Sequence, residues 1–137
     1  MSIEKRKLFH FVSKLLFSTI RGEITWQKHD SPPSFLVEWI QLLDYPSQED
    51  YIGLSCYRYS TPDSKSLWFF VFPQSQNGWL ELRNRESKLE LTIDGENYGS
   101  LSELYQAIRE KENGGYLRAA EETIDLILNG NKEAVTH

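Results

Sequence analysis

The sequence predicts an α+β fold: an N-terminal helix, an antiparallel sheet of about five or six strands, and two C-terminal helices packed on the sheet. Three observations predict it. Apolar residues recur at helical spacing near both ends of the chain. Short aromatic and β-branched runs, separated by Pro- and Gly-containing turns, fill the middle. The 137 residues, 39% hydrophobic and 26% charged, have the size and composition of one folded domain. A single domain is expected over residues 1–130, with a frayed tail at 131–137.

The first helix is expected at residues 3–21. Leu8, Val12, Leu15, Leu16 and Thr19 form its buried stripe, widened by Phe9, Phe11 and Ile20, with Gly22 as the C-terminal cap. In residues 23–28, Ile24 and Trp26 alternate with polar neighbours, the period of a half-buried strand. His29 to Pro33 reads as a loop, because two consecutive prolines exclude regular structure. Residues 35–42 suit either a strand or a short helix built on Leu36, Trp39, Ile40 and Leu43. Their β-branched and aromatic content favours a strand.

A turn at 45–50 leads to a strand at 51–59. Ile52, Leu54 and Cys56 fall on one face of that strand, and Tyr51, Ser55, Tyr57 and Tyr59 on the other. Residues 67–72, Leu-Trp-Phe-Phe-Val-Phe, are apolar on both faces and should lie centrally, covered on both sides. Asn77-Gly78 makes a turn, followed by strands around Leu80 and Leu82 and around Leu89, Leu91 and Ile93. Ser100 and Glu103 form a capping box for a helix at 101–112. Asn113-Gly114-Gly115 ends that helix, and a last helix at about 116–128 carries Leu117, Ala120, Ile124, Ile127 and Leu128 up to Gly130.

The net charge of −5 argues against nucleic acid, whose binding draws on a basic surplus. Charge is unevenly spread, however. Lys5, Arg6, Lys7, Lys14 and Arg21 face a single Glu4 in residues 1–22, whereas acids outnumber bases in residues 100–128. One cysteine, Cys56, cannot form an intramolecular disulfide, and no metal-ligand spacing occurs, so neither metal nor cofactor is expected. Lys5-Arg6-Lys7 ahead of Leu8–Val12 resembles a leader, but His10, Ser13 and Lys14 interrupt the apolar run, and a cytoplasmic protein is expected.

No catalytic set emerges. His10 should be a partly buried structural histidine and His29 a surface residue. Glu81 and Glu90 could meet across a hairpin as an acid–base pair, but ordinary ion pairs with Arg83, Arg85 or Lys88 explain them better. Cys56 should behave as a small buried hydrophobe. Gly114-Gly115 is explained by a helix end rather than by an anion site. The aromatic middle strands supply the candidate binding residues Tyr57, Tyr59, Trp68 and Trp79, with Tyr57 and Tyr59 expected to form a partly exposed platform.

The order of elements, with Leu101-x-x-Leu104-Tyr105-x-x-Ile108-Arg109 after the Asp94-Gly95 turn, resembles a loose group of small bacterial α+β proteins, some of them prophage- or immunity-protein-like. The resemblance implies a bacterial source and a binding role, and transfers no site residue. The expectation is thus a non-enzymatic protein-binding module of immunity or regulatory type, with a protein partner or a second copy as its target. The alternatives are a small-ligand or enzymatic pocket between sheet and helices, and single-stranded nucleic acid bound by the aromatic strands.

Overall fold

The computed structural model describes residues 4–95, 100–112 and 120–129. Among them, α1 (Lys5–Ile20) leads to β1 (Gln27–His29), α2 (Ser34–Gln41) and a 3-10 turn (Ser47–Tyr51). Four strands follow: β2 (Ser55–Ser60), β3 (Ser66–Val71), β4 (Gly78–Asn84) and β5 (Lys88–Asp94). Then come α3 (Ser100–Glu112) and a further helix, α4, at residues 120–129. This is the expected α+β architecture, with a sheet of five strands among the described residues.

The sheet is an antiparallel meander in the order β1-β2-β3-β4-β5. β3 is central, and all six of its residues are buried, as its two-sided apolar pattern predicts. The β3–β4 hairpin depends on a glycine. A Cβ on Gly78 would stand 1.9 Å from the Phe70 carbonyl oxygen, and that atom cannot retreat without breaking the ladder.

The two faces of the sheet support separate cores. On the first, α1 and α3 bury Val12, Leu15, Leu101, Leu104 and Ile108 against Tyr57, Phe69 and Leu80. α1 ends in a Schellman motif, with the Glu23 N–H donating to the Ser18 carbonyl at 2.9 Å and Gly22 in the left-handed region at φ 80°. Thr19 Oγ1 donates to the Leu15 carbonyl at 2.7 Å and accepts from Trp26 Nε1 at 2.9 Å, anchoring the chain as it leaves the helix. On the second face, Leu36 of α2 packs with Leu54, Cys56, Trp68 and Phe70.

Several expectations are corrected here. Residues 35–42 form no strand; Ser34–Gln41 is helix α2. β1 starts at Gln27 rather than at residue 23, although Ile24 and Trp26 still pack on the first core. Phe9 and His10 point to solvent, because α1 turns only its Val12–Leu15–Thr19 side to the sheet. Ile52 is 70% exposed, since the strand begins only at Ser55.

α3 follows the expected helix closely, but the Ser100 side chain of the capping box lies outside the described residues. So do the Asn113-Gly114-Gly115 terminator, Leu117, Gly130 and the tail at 131–137. In α4, the expected core positions Ala120, Ile124, Ile127 and Leu128 are exposed, along with every other residue of that helix. α1 and α3 already roof the face that these residues were expected to cover.

Candidate functional site

Alternation in the strands sends Cys56, Trp68, Phe70, Trp79, Glu81 and Arg83 to the second face. There they meet rings from α2 and the 3-10 turn. Phe35 stands edge-on to Trp68 and Phe70, at centroid distances of 5.7 and 6.3 Å. Trp68 stacks on Phe70 at 5.7 Å, with planes 3° apart. Tyr51 meets Trp39 at 5.3 Å, Phe72 at 5.3 Å and Trp79 at 6.1 Å. Such tilted and edge-on pairs align positive ring edges with negative ring faces.

Beyond β4 the second face opens. Thr92 and Asp94 of β5 are exposed on this side, and a groove of about 510 Å³ runs between α2 and the β4–β5 hairpin. Trp39, Tyr51, Trp79 and Leu89 form its apolar walls. Trp39 is 45% exposed and Leu89 48% exposed, so both sit at the rim.

At the base of the groove lies an ion pair between the buried Glu81 and the part-buried Arg83. Arg83 reaches Glu81 Oε1 through Nη2 at 2.6 Å and Nε at 3.0 Å, while Trp79 Nε1 donates to Oε2 at 2.7 Å. The Glu81 side chain is 7% exposed and that of Arg83 13%. The guanidinium also lies 3.6 Å over the Phe35 ring and donates through Nη1 to the Glu86 carbonyl. Both carboxylate oxygens are thus engaged, as a buried charge requires. The pair shapes the groove floor and links β4 to α2.

A second polar cluster holds the β4–β5 turn. Glu86 accepts from Trp68 Nε1 at 2.9 Å and from Ser66 Oγ at 3.0 Å, with Arg58 Nη2 at 3.5 Å. His29 is not a loop residue on the surface: it ends β1, half-buried, with its ring 4.8 Å from that of Trp68.

The four candidate residues do not come together. Trp79 lines the groove, and Trp68 lies beneath it, 3% exposed. Tyr57 and Tyr59 face the opposite core. Tyr57 is 1% exposed, and burial, reinforced by Glu112 and Tyr105, raises its phenol above the usual value. Tyr59 is half-buried beside Trp26, at 6.0 Å. The expected tyrosine platform is therefore interior on its Tyr57 side, because α3 covers that face.

Glu81 and Glu90 form no dyad. The β4–β5 register shifts between Leu82 and Arg83, leaving Glu90 as the extra residue opposite them. Glu90 pairs instead with Lys65 at 2.6 Å, and Glu81 with Arg83. Cys56 is buried, and burial pushes its thiol up to about 11, so it is a poor nucleophile.

Sequence reasoning missed the groove because it placed Trp39 in a strand. The Leu36–Trp39–Ile40–Leu43 spacing was the signal that could have found it. Among the described residues, no His, Cys, Asp and Glu cluster could hold a metal ion, and no helix is long and apolar enough to cross a membrane. No protein family, curated protein or solved structure matches this chain.

Proposed function

We propose that this protein is a non-enzymatic binding module that holds an extended, apolar segment of a partner protein in the groove between α2 and the β4–β5 hairpin. One observation carries the reading: an aromatic groove of about 510 Å³ runs beside β5, the strand that ends the sheet among the described residues. An extended segment laid along β5 would take up backbone hydrogen bonds and drop alternate side chains into the groove. Trp39 and Leu89 at the rim supply the large apolar contacts on which interface energy concentrates. With a net charge of −5, the chain suits a basic partner, whose approach its field would speed. A cytoplasmic immunity or regulatory protein of bacterial origin would work in this way.

The test is selection from a random peptide library displayed on phage, followed by anisotropy titration of the winning peptides. Wild type should enrich peptides with apolar residues at alternate positions. Trp39→Ala and Leu89→Asp should each weaken binding by more than about tenfold at an unchanged melting temperature. Winners indifferent to both substitutions, or no enrichment at all, would refute the reading.

A second reading has its own support. The rings of Tyr51, Phe72 and Trp79 converge above a polar pair, a combination that suits a small aromatic ligand. Fragments that quench tryptophan fluorescence and show no competition with any selected peptide would favour it.

A further inference from the structure

α4 and the outer side of α1 are complementary surfaces that a single chain leaves exposed. Ala120, Ile124, Ile127 and Leu128 fall on one side of α4 at helical spacing. Ile124, Ile127 and Leu128 are 54%, 59% and 63% exposed. Glu121 and Asp125 flank that side next to Leu128, Glu122 lies opposite it together with Leu126, which is 74% exposed, and residues 120–129 contain no base. A helix this short is marginal alone in water and draws its stability from packing an apolar face.

α1 offers the opposite chemistry. Its residues contain no acid. Opposite its buried side, Arg6, His10, Lys14 and Phe17 recur every three or four residues, all exposed, and Arg21 continues the row. Phe17 is 53% exposed and Phe9 59%. Phe17 thus stands in a row of cations with Phe9 to one side, a basic surface suited to an apolar stripe that acids flank.

We infer that the protein forms a symmetric dimer in which α4 of each copy packs its Ile124–Ile127–Leu128 side on the Phe9–Phe17 side of α1 in the other. Each copy then gives one helix and receives one, and two-fold symmetry closes the assembly. α1 roofs the first face of the sheet and the groove opens on the second, so the α1 half of the contact leaves the groove free.

Sedimentation equilibrium of the full chain tests this, using two charge-reversed variants at exposed positions. One carries Lys14→Glu and Arg21→Glu; the other carries Glu121→Lys and Asp125→Lys. Wild type should be a dimer whose dissociation constant rises at least about tenfold from low to high salt. Each variant alone should be monomeric with unchanged circular dichroism, and an equimolar mixture should restore a one-to-one heterodimer. A wild type that stays monomeric at every concentration overturns the inference, including the case where α4 amides are protected by docking on their own chain. So does a dimer that survives either reversal, or a mixture that remains monomeric.

Discussion

Glu81 lies buried between Trp79 and Arg83, and its stability rests on keeping both. Removing one partner of a buried pair leaves an uncompensated charge, whereas removing both can be nearly neutral. Arg83→Leu should therefore destabilise by about 3–5 kcal/mol, and adding Glu81→Leu should recover much of that loss. A double-mutant cycle in urea measures the coupling, and simple additivity would mean that the pair is not coupled. Cys56 makes a pH prediction. Its thiol ionises near the ordinary 9.0 when unfolded but only at about 11 when folded. Its contribution to stability is thus intact below pH 9 and is lost as the pH climbs towards 11. Tyr57 shifts in the same direction, chiefly through burial. Denaturation across that range should show wild type losing more stability than Cys56→Ala. Tyr57 and Tyr59 also part company: Tyr57→Ala should cost about 3–5 kcal/mol as a deleted core ring, and Tyr59→Ala clearly less. Equal melting temperatures for the two variants would contradict the burial described for Tyr57.

Among the elements, α2 decides the second face. Leu36 is 2% exposed within the Cys56–Trp68–Phe70 cluster. Leu36→Ala should cost about 2–5 kcal/mol and weaken the near-ultraviolet circular dichroism of the packed tryptophans. A variant as stable as wild type would mean that α2 is only loosely held. The same helix marks the limit of what was legible. Strand alternation is a local property, so the inward and outward sides of β2, β3 and β4 could be read directly. Which side is covered is a property of distant segments. Phe35, Val37, Trp39 and Ile40 have the propensities of a strand, and tertiary packing overrode them. With α2 misplaced, the groove had no wall, and the aromatic residues were assigned to a surface that α3 in fact closes. The bulge at Glu90 was equally hidden, because register emerges from the assembled ladder. The ion-pair reading held for Glu81, which takes Arg83 from its own strand, whereas Glu90 takes Lys65, a cation outside the expected Arg83, Arg85 and Lys88.

At the scale of the molecule, protection should follow the layering. Hydrogen exchange should be slowest in β3, which is buried throughout, and fastest in α4 when the chain is dilute enough to be monomeric. Slow α4 amides under those conditions would show that something in the same chain covers it. The meander also separates the two cores by origin. The first is roofed by α1 and α3, which flank the strands in sequence, and the second by α2 and the 3-10 turn, inserted between β1 and β2. A lineage of such proteins could lengthen, shorten or rewrite residues 34–51 and thereby reshape what the groove accepts, while Val12, Leu104 and Phe69 go on supporting the same sheet. Recognition in this architecture is free to diversify faster than the scaffold that presents it.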